Sequence, residues 1–189
     1  LGMDPRRLRE ALDRTPDVAA VVVVHIAGIV APSVREVQAI CRERGIPLVE
    51  DAAHALGSEL DGVFAGNLGE AAAFSLYPTK IATSAEGGFV TFQRTEHADE
   101  ARSLRDQGKR SFFENVHSRL GGNWRMSEPH ASIGIAHLER LGAFLEERRR
   151  LAAWYDEHLQ GIPGLELFRV PPGSSSNYYK YVALLSEGI

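Results

Sequence analysis

The sequence has 189 residues, of which 44% are hydrophobic and 24% charged, so it is long enough to bury a substantial apolar core. Its net charge of −4 argues against a nucleic-acid-binding surface, and no apolar run approaches the roughly 20 residues of a membrane helix. We therefore expect a cytoplasmic protein, in which the single cysteine, Cys41, packs in the core of a reduced chain. Because the chain begins without an initiator methionine or a signal peptide, we expect it to be a fragment of a longer protein.

The first third of the sequence predicts a helix followed by a strand–helix–strand unit. Asp4 precedes a proline and a helical leucine spacing, the pattern of an N-cap. Residues 18–28 are rich in β-branched side chains, and polar residues do not alternate with apolar ones in this range, which predicts a strand covered on both faces. A helix over residues 32–45 and a second strand over residues 46–51 follow. Such a unit places its two strands parallel, so both end at the same edge of the sheet.

The middle of the sequence predicts two more strands and a helix. Residues 70–78 are a third apolar strand, and residues 86–94 are a fourth whose orientation the short connection leaves open. A helix over residues 96–108 leads into an irregular, glycine-containing stretch over residues 109–128. Connections of that length are usually functional or disordered.

The last third predicts one long helix and two strands. The helix runs over residues 127–160 with Ser127 as its cap, and we place a domain boundary inside it near residue 140. Strands are predicted over residues 165–170 and 178–185, the second of them without a visible partner.

Polar side chains follow the predicted strands at the edge where open α/β sheets bind ligands. Asp51 ends the second strand, His54 follows three residues later, and the third strand delivers Ser75 and Lys80. A lysine and a carboxylate presented together suit one chemistry, a Schiff base to pyridoxal phosphate with the carboxylate keeping the pyridine nitrogen protonated. The displaced lysine is then an amine that can move protons.

Each of these residues also has a purely structural interpretation. A lone lysine after a strand is usually a solvated charge, and Asp51 could cap a helix that begins at residue 52. His54 could be a satisfied core histidine, Ser75 a small strand residue and Asn123 a turn residue. No metal-ligand spacing, G-x-G-x-x-G or Walker loop is present in the sequence, which disfavours a metalloenzyme, a nucleotide-cofactor dehydrogenase or an NTPase.

Several longer motifs resemble one known family along nearly the whole sequence. The stretches are VEDAAHALGS, AAAFSLYPTKIATSAEGGFV and NWRMSEPHASIGIAHLERL, in the order found in the DegT/DnrJ/EryC1/StrS sugar aminotransferases. The resemblance implies the α/β, aspartate-aminotransferase-like fold (fold type I), three layers with a mostly parallel sheet. Residues 1–140 would be part of the large pyridoxal-phosphate-binding domain, and residues 141–189 would begin a small α+β domain.

The resemblance also implies a role for each site residue. Lys80 would form the Schiff base with the cofactor, and Asp51 would contact the pyridine nitrogen. Ser75 would bond the cofactor phosphate, and His54 would lie against the ring or its 3-hydroxyl. Asn123 matches an asparagine that reaches the phosphate from the neighbouring subunit, so a homodimer with a shared active site is expected.

The activity implied is a pyridoxal-phosphate-dependent transamination. Glutamate or glutamine would donate the amino group to a nucleotide-linked keto sugar or a keto-cyclitol by a ping-pong mechanism. A neighbouring branch of dehydratases has histidine at the lysine position, so Lys80 argues against it. The alternative is a non-catalytic homologue or partner subunit. Because nothing here matches an upstream phosphate-binding segment of full-length relatives, we expect the chain alone to hold the cofactor poorly.

Overall fold

The structure is a computed structural model that describes residues 2–111, 113 and 115–186. In chain order its elements are α1 (Pro5–Arg14), β1 (Val21–Val24), α2 (Val34–Arg44), β2 (Leu48–Asp51), β3 (Glu59–Leu60), β4 (Val63–Phe64), β5 (Ala71–Ser75), β6 (Gly88–Phe92), α3 (Thr95–Arg105), α4 (Glu128–Glu139), α5 (Leu141–Leu159), β7 (Leu165–Leu167), β8 (Ser174–Ser175) and β9 (Ala183–Leu185). Within these described ranges, no helix is both long and apolar enough to cross a membrane.

The main sheet contains four strands in the order β1-β2-β5-β6. The first three are parallel, with Val24 opposite Asp51 and Asp51 opposite Ala73. Strand β6 is antiparallel to β5 and pairs Gly88 with Ser75. The predicted parallel unit is therefore confirmed, and the open orientation of the fourth strand is settled as antiparallel.

One face of this sheet carries the hydrophobic core. Helices α1 and α2 pack there, and Asp4 caps α1 by accepting hydrogen bonds from the backbone N–H groups of Arg6 and Arg7. Cys41 is buried in this core, as predicted, and burial raises the pKa of its thiol. The core comprises mainly aliphatic residues, among them Leu8, Val21, Val23, Val34, Val37, Ile40, Leu48, Leu68, Ala72 and Phe74.

The opposite face of the sheet is open. Val22 and Val24 are 51% and 43% exposed, so the prediction that the first strand is covered on both faces is wrong for the described residues. The reason is that both covering helices lie on one side, which leaves the alternate side chains of β1 to solvent. Asp51 and Ser75 project from this same open face because their register places them in line with Val24 and Ala73.

The C-terminal third differs from its prediction in two ways. The long helix over residues 127–160 is interrupted at Arg140, where φ is −100° and ψ is 2°, and becomes α4 and α5. The break coincides with the proposed domain boundary, which stays a prediction. The last strand, predicted over residues 178–185, is shorter and corresponds to β9 (Ala183–Leu185). It pairs antiparallel with β7, so the expectation that it has no partner was wrong.

The polar stretch over residues 109–128 is irregular, as predicted, although residues 112 and 114 lie outside the described residues. Two isolated pairings hold it, Asp106 with Asn123 and Lys109 with His117. A second small sheet, β4-β3-β8, joins the connection after β2 to residues 174 and 175. This sheet brings the C-terminal segment alongside the carboxyl edge of the main sheet.

Candidate active site at the sheet edge

Asp51 and Ser75 end adjacent parallel strands at the carboxyl edge of the main sheet. Both side chains are partly buried, and the Ser75 Oγ accepts a hydrogen bond from the Tyr77 N–H at 3.3 Å. The Asp51 Oδ1 accepts one from the Ala53 N–H at 3.1 Å. Residues 52–57 form turns rather than a helix, so the helix-cap interpretation of Asp51 is wrong and its carboxylate closes a turn instead.

Lys80 follows β5 in a tight turn in which its N–H donates to the Tyr77 carbonyl at 3.0 Å. Its Nζ lies 4.7 Å from the centre of the Tyr179 ring. Among the ion pairs of the described residues, none includes Lys80 or Lys180. The ammonium of Lys80 is therefore held against an aromatic face and not against a carboxylate.

His54 lies among the charged groups of this edge. Its Nδ1 accepts a hydrogen bond from the Ala27 N–H at 3.3 Å, which assigns the ring proton to Nε2. The pKa of His54 is lowered by burial and by the nearby Lys80 and Lys180, while Asp51 opposes the shift. His54 is thus a neutral imidazole at pH 7, with Nε2–H as its available donor.

Tyr179 is a site residue that the sequence interpretation missed. Its ring lies 4.4 Å from the His54 ring, centre to centre, at an interplanar angle of 32°, and its hydroxyl lies 3.2 Å from the Thr79 Oγ1. The Lys180 Nζ also contacts the ring, 4.9 Å from its centre. The hydrogen bond with Thr79 and the two lysines lower the pKa of this phenol. A lysine set among tyrosines in NYYKY was the available signal, but the stretch was interpreted as a strand.

The buried side chain of Asn177 holds Tyr179 in place. Its Nδ2 donates to the carbonyl oxygens of His54 and Leu56 at 2.8 and 2.9 Å, and its Oδ1 accepts from the Tyr179 N–H at 2.8 Å. Gly28 passes so close to this amide, at a φ of +89°, that a Cβ there would collide with the Asn177 Oδ1. The residues VHIAGI therefore form a loop onto which the C-terminal segment docks.

A second polar cluster, Glu50 with His25, lies on the core side of the same strand. Glu50 is fully buried and accepts hydrogen bonds at 2.6 to 2.7 Å from three backbone N–H groups of residues 66–69. The His25 Nε2 lies 2.9 Å from the carboxylate, and the His25 Nδ1 accepts from the Ala31 N–H. Burial alone would raise the pKa of Glu50, but His25 and the three amides together lower it. The only sign of this cluster in the sequence was a glutamate directly after the apolar residues Leu48 and Val49 of the strand.

Asn123 lies apart from these residues in the described chain. It is exposed and forms an isolated bridge with Asp106. The structure therefore brings together Asp51, His54, Ser75 and Lys80 at one edge of the sheet, and Asn123 occupies a different surface. Its predicted contribution from a neighbouring subunit stays a prediction.

Solved structures define the fold class of this arrangement. The aminotransferase TlmJ from Streptoalloteichus hindustanus matches with a TM-score of 0.90 at 34% identity, covering 98% of this chain and 50% of that chain. The PLP form of Spr1654 from Streptococcus pneumoniae matches with a TM-score of 0.88 at 25% identity, covering 99% of this chain and 52% of that one. The fold is the aspartate-aminotransferase-like fold type I, as the motifs implied.

Sequence comparison identifies the family. The model of the DegT/DnrJ/EryC1/StrS aminotransferase family matches residues 1–188, and the chain belongs to that family. A dTDP-3-amino-3,4,6-trideoxy-α-D-glucose transaminase from Micromonospora megalomicea subsp. nigra is 38% identical over 174 residues, which cover 89% of this chain and 46% of that protein. The chain spans about half the length of the curated relatives it matches.

The residues at the sheet edge fit pyridoxal phosphate. The cofactor needs an amine for its aldehyde, an anion for its pyridine nitrogen and hydrogen-bond donors for its phosphate. Asp51 and Ser75, at the ends of β2 and β5, and Lys80, in the turn after β5, would supply these three groups. The neutral His54 ring adds a flat surface beside them, as a planar ligand requires.

Proposed function

We propose that this chain is part of a pyridoxal-phosphate-dependent aminotransferase that moves an amino group from glutamate or glutamine to a nucleotide-linked keto sugar. A keto-cyclitol is the other acceptor that the family resemblance implies. The observation that carries the proposal is the meeting of Lys80, Asp51 and Ser75 at one edge of the sheet, with His54 close enough for Lys80 and Asp51 to shift its pKa. The dTDP-linked sugar named for the Micromonospora relative supports the substrate class.

Each residue would have a defined task in this reaction. Pyridoxal phosphate, when bound, supplies an aldehyde for the amino group and an electron-withdrawing ring. Lys80 would hold it covalently, and Asp51 would provide the anion that pairs with its ring nitrogen. The Ser75 hydroxyl would donate to its phosphate, joined by Asn123 from a second copy of the chain in a homodimer.

The surroundings of Lys80 suit a group that must both bind and move a proton. Its Nζ rests on the Tyr179 ring and has no carboxylate partner among the described residues, so no strong ion pair must be broken when the side chain moves. The neutral His54 can donate only through Nε2, because the Ala27 N–H occupies Nδ1. Lys80 is therefore the proton carrier, and His54 holds the cofactor ring. Alternation between amino donor and keto acceptor at this one site gives ping-pong kinetics.

The test is the absorbance spectrum of the purified full-length protein to which this chain belongs, with added pyridoxal phosphate, before and after borohydride reduction, because the chain alone is expected to hold the cofactor poorly. We expect a visible band that borohydride reduction abolishes as it attaches the cofactor covalently to Lys80, and we expect neither the band nor the attachment in Lys80→Ala. The chain has three lysines, so Lys109→Ala is the matched control and should retain the band. A wild-type protein without a lysine-dependent band would contradict the proposal and favour the non-catalytic partner subunit.

A further inference from the structure

Tyr179 contacts three groups of the site at once. Its ring faces the His54 ring and the Lys80 Nζ, and its hydroxyl reaches Thr79, the residue that precedes Lys80. None of these contacts is local, since Tyr179 and Thr79 are separated by 100 residues in the sequence. We propose that Tyr179 is a positioning residue whose ring holds the Lys80 ammonium and the His54 imidazole in a fixed relation at the sheet edge.

The proposal begins from the freedom of the lysine side chain. A lysine has four rotatable side-chain bonds, and a carboxylate partner is the usual restraint on its ammonium. Lys80 has no such partner in the described part of the chain, and the aromatic face of Tyr179 is what its Nζ contacts. An aromatic ring attracts an ammonium without locking it in an ion pair, so the amine is oriented but can still be displaced.

The ring can act as a reference point because it is itself held from several sides. The Asn177 Oδ1 accepts from the Tyr179 N–H, and the Lys180 N–H donates to the Ala27 carbonyl at 3.1 Å. The same loop residue, Ala27, donates its own N–H to His54. Tyr179 and His54 are thereby attached to one stretch of backbone, which fixes their rings relative to each other.

The inference rests on the proposed function, because orientation of Lys80 matters when it must reach a cofactor. A displacement of a reacting group by about 1 Å can lower a rate about a hundredfold. A ring that only filled space would be replaceable by an aliphatic side chain of similar volume. A positioning ring would be replaceable only by another ring.

The experiment compares Tyr179→Phe with Tyr179→Leu in the purified full-length protein to which this chain belongs. Tyr155→Leu, which removes a ring packed on Trp154 and Tyr181 in the helical region, is the matched control. Two quantities are measured. One is the NMR titration of the His54 ring without cofactor, assigned with His54→Gln, and the other is the rate at which cyanoborohydride fixes pyridoxal phosphate to Lys80.

We expect the leucine variant to move the His54 midpoint upward by about half a pH unit, because the ring no longer shields the imidazole from water. Fixation to Lys80 should slow about tenfold or more. In Tyr179→Phe and Tyr155→Leu the rate of fixation to Lys80 should stay within about twofold of the wild-type rate, because both variants keep an aromatic ring beside Lys80. Should leucine disrupt folding, Tyr179→Gln makes the same comparison with a polar side chain of similar length.

The outcomes separate the inference from the proposed function. No fixation in the wild-type protein overturns the proposed function and the inference with it. Normal fixation in wild type together with an unchanged leucine or glutamine variant overturns the inference alone. Equal losses in the phenylalanine and leucine variants also overturn it, because they would assign the effect to the hydroxyl and its interactions with Thr79 and Lys80.

Discussion

Strand β2 presents two consecutive carboxylates to two very different environments. Glu50 points into the core, and four hydrogen-bond donors converge on it, three of them backbone amides and the fourth His25. Asp51 points to the open face, where one backbone amide, that of Ala53, donates to it. Each carboxylate also has a histidine nearby, yet only His25 is in direct contact with its neighbour.

The difference shows how one strand can serve stability and chemistry at adjacent positions. The hydrogen-bonding capacity of Glu50 is used by the protein itself, so its cluster holds residues 66–69 against the strand and has no need of a ligand. The Asp51 cluster leaves carboxylate lone pairs free and two ammonium groups without a carboxylate partner within the described residues, as a binding site requires. Exchange of a single atom at each carboxylate can test this division.

The largest effect is expected for Asp51→Asn. It removes the negative charge from the open cluster, and we expect turnover of the amino-group transfer to fall about a hundredfold or more. The free energy of unfolding should change by less than about 0.5 kcal/mol, because the turn with Ala53 can form with an amide oxygen. Steady-state kinetics and urea unfolding measure the two quantities. Asp99→Asn, on the exposed surface of α3, is the control and should change neither.

Glu50→Gln should show the opposite pattern. The glutamine would turn an NH₂ group toward donors that need an acceptor, so we expect a loss of about 1 to 3 kcal/mol in unfolding free energy. Turnover per folded molecule should stay within about threefold of wild type. Glu36→Gln, exposed on α2, is the matched control. A stable Glu50→Gln variant with much reduced turnover would show that the two faces of the strand are not independent.

The same substitution predicts a pH dependence with a definite sign. Because the folded protein lowers the pKa of Glu50 from its ordinary value of 4.5, the stabilisation is complete above pH 4.5. It is lost as the pH falls through the lowered pKa of the folded state. The difference in urea midpoint between wild type and Glu50→Gln should therefore be constant from pH 7 to 5 and shrink below 4.5. A difference that grows on acidification would contradict the assignment.

The smallest expected effects concern the charges around His54. Lys80→Gln and Lys180→Gln should each raise its NMR titration midpoint by about a few tenths of a pH unit, with the larger rise for Lys80. Asp51→Asn should lower it, since that carboxylate favours the imidazolium. Lys109→Gln should leave it unchanged. If both lysine variants had no effect, the ammonium groups would lie farther from His54 in solution than the structure places them.

The local part of this molecule could be predicted from its sequence. The helix after Asp4, the stop at Gly45 and the strand ending at Asp51 depend on periodicity, caps and left-handed glycine, which act over a few residues. The third strand was predicted over residues 70–78 and ends earlier, at Ser75. The placement of Asp51, Ser75 and Lys80 at one edge followed from the parallel order of the strands. The long helix was predicted too continuous, because Gly142, the glycine nearest the break at Arg140, lies inside α5 and a single glycine is tolerated within a helical pattern.

The contacts between distant segments could not be predicted in the same way. Residues 178–185 have the composition of a strand, and that pattern concealed the docking of Tyr179 against His54. The partner of Glu50 was equally hidden, because hydrogen bonds to the backbone of residues 66–69 leave no mark in side-chain spacing. In both cases the decisive groups are backbone amides or residues more than a dozen positions away.

The docking of Asn177 onto the residues beside His54 has a consequence for the order in which the protein is made. The bond between the Asn177 side chain and the His54 carbonyl spans 123 residues, and the bond from Ser176 to Gly28 spans 148. At roughly 5 to 20 residues per second, a ribosome needs about 6 to 25 seconds to complete the first of these connections after His54 has been synthesised. During translation the segment with His54 and Lys80 is therefore synthesised several seconds before Tyr179, and the contact between the Lys80 Nζ and the Tyr179 ring can form only after that interval.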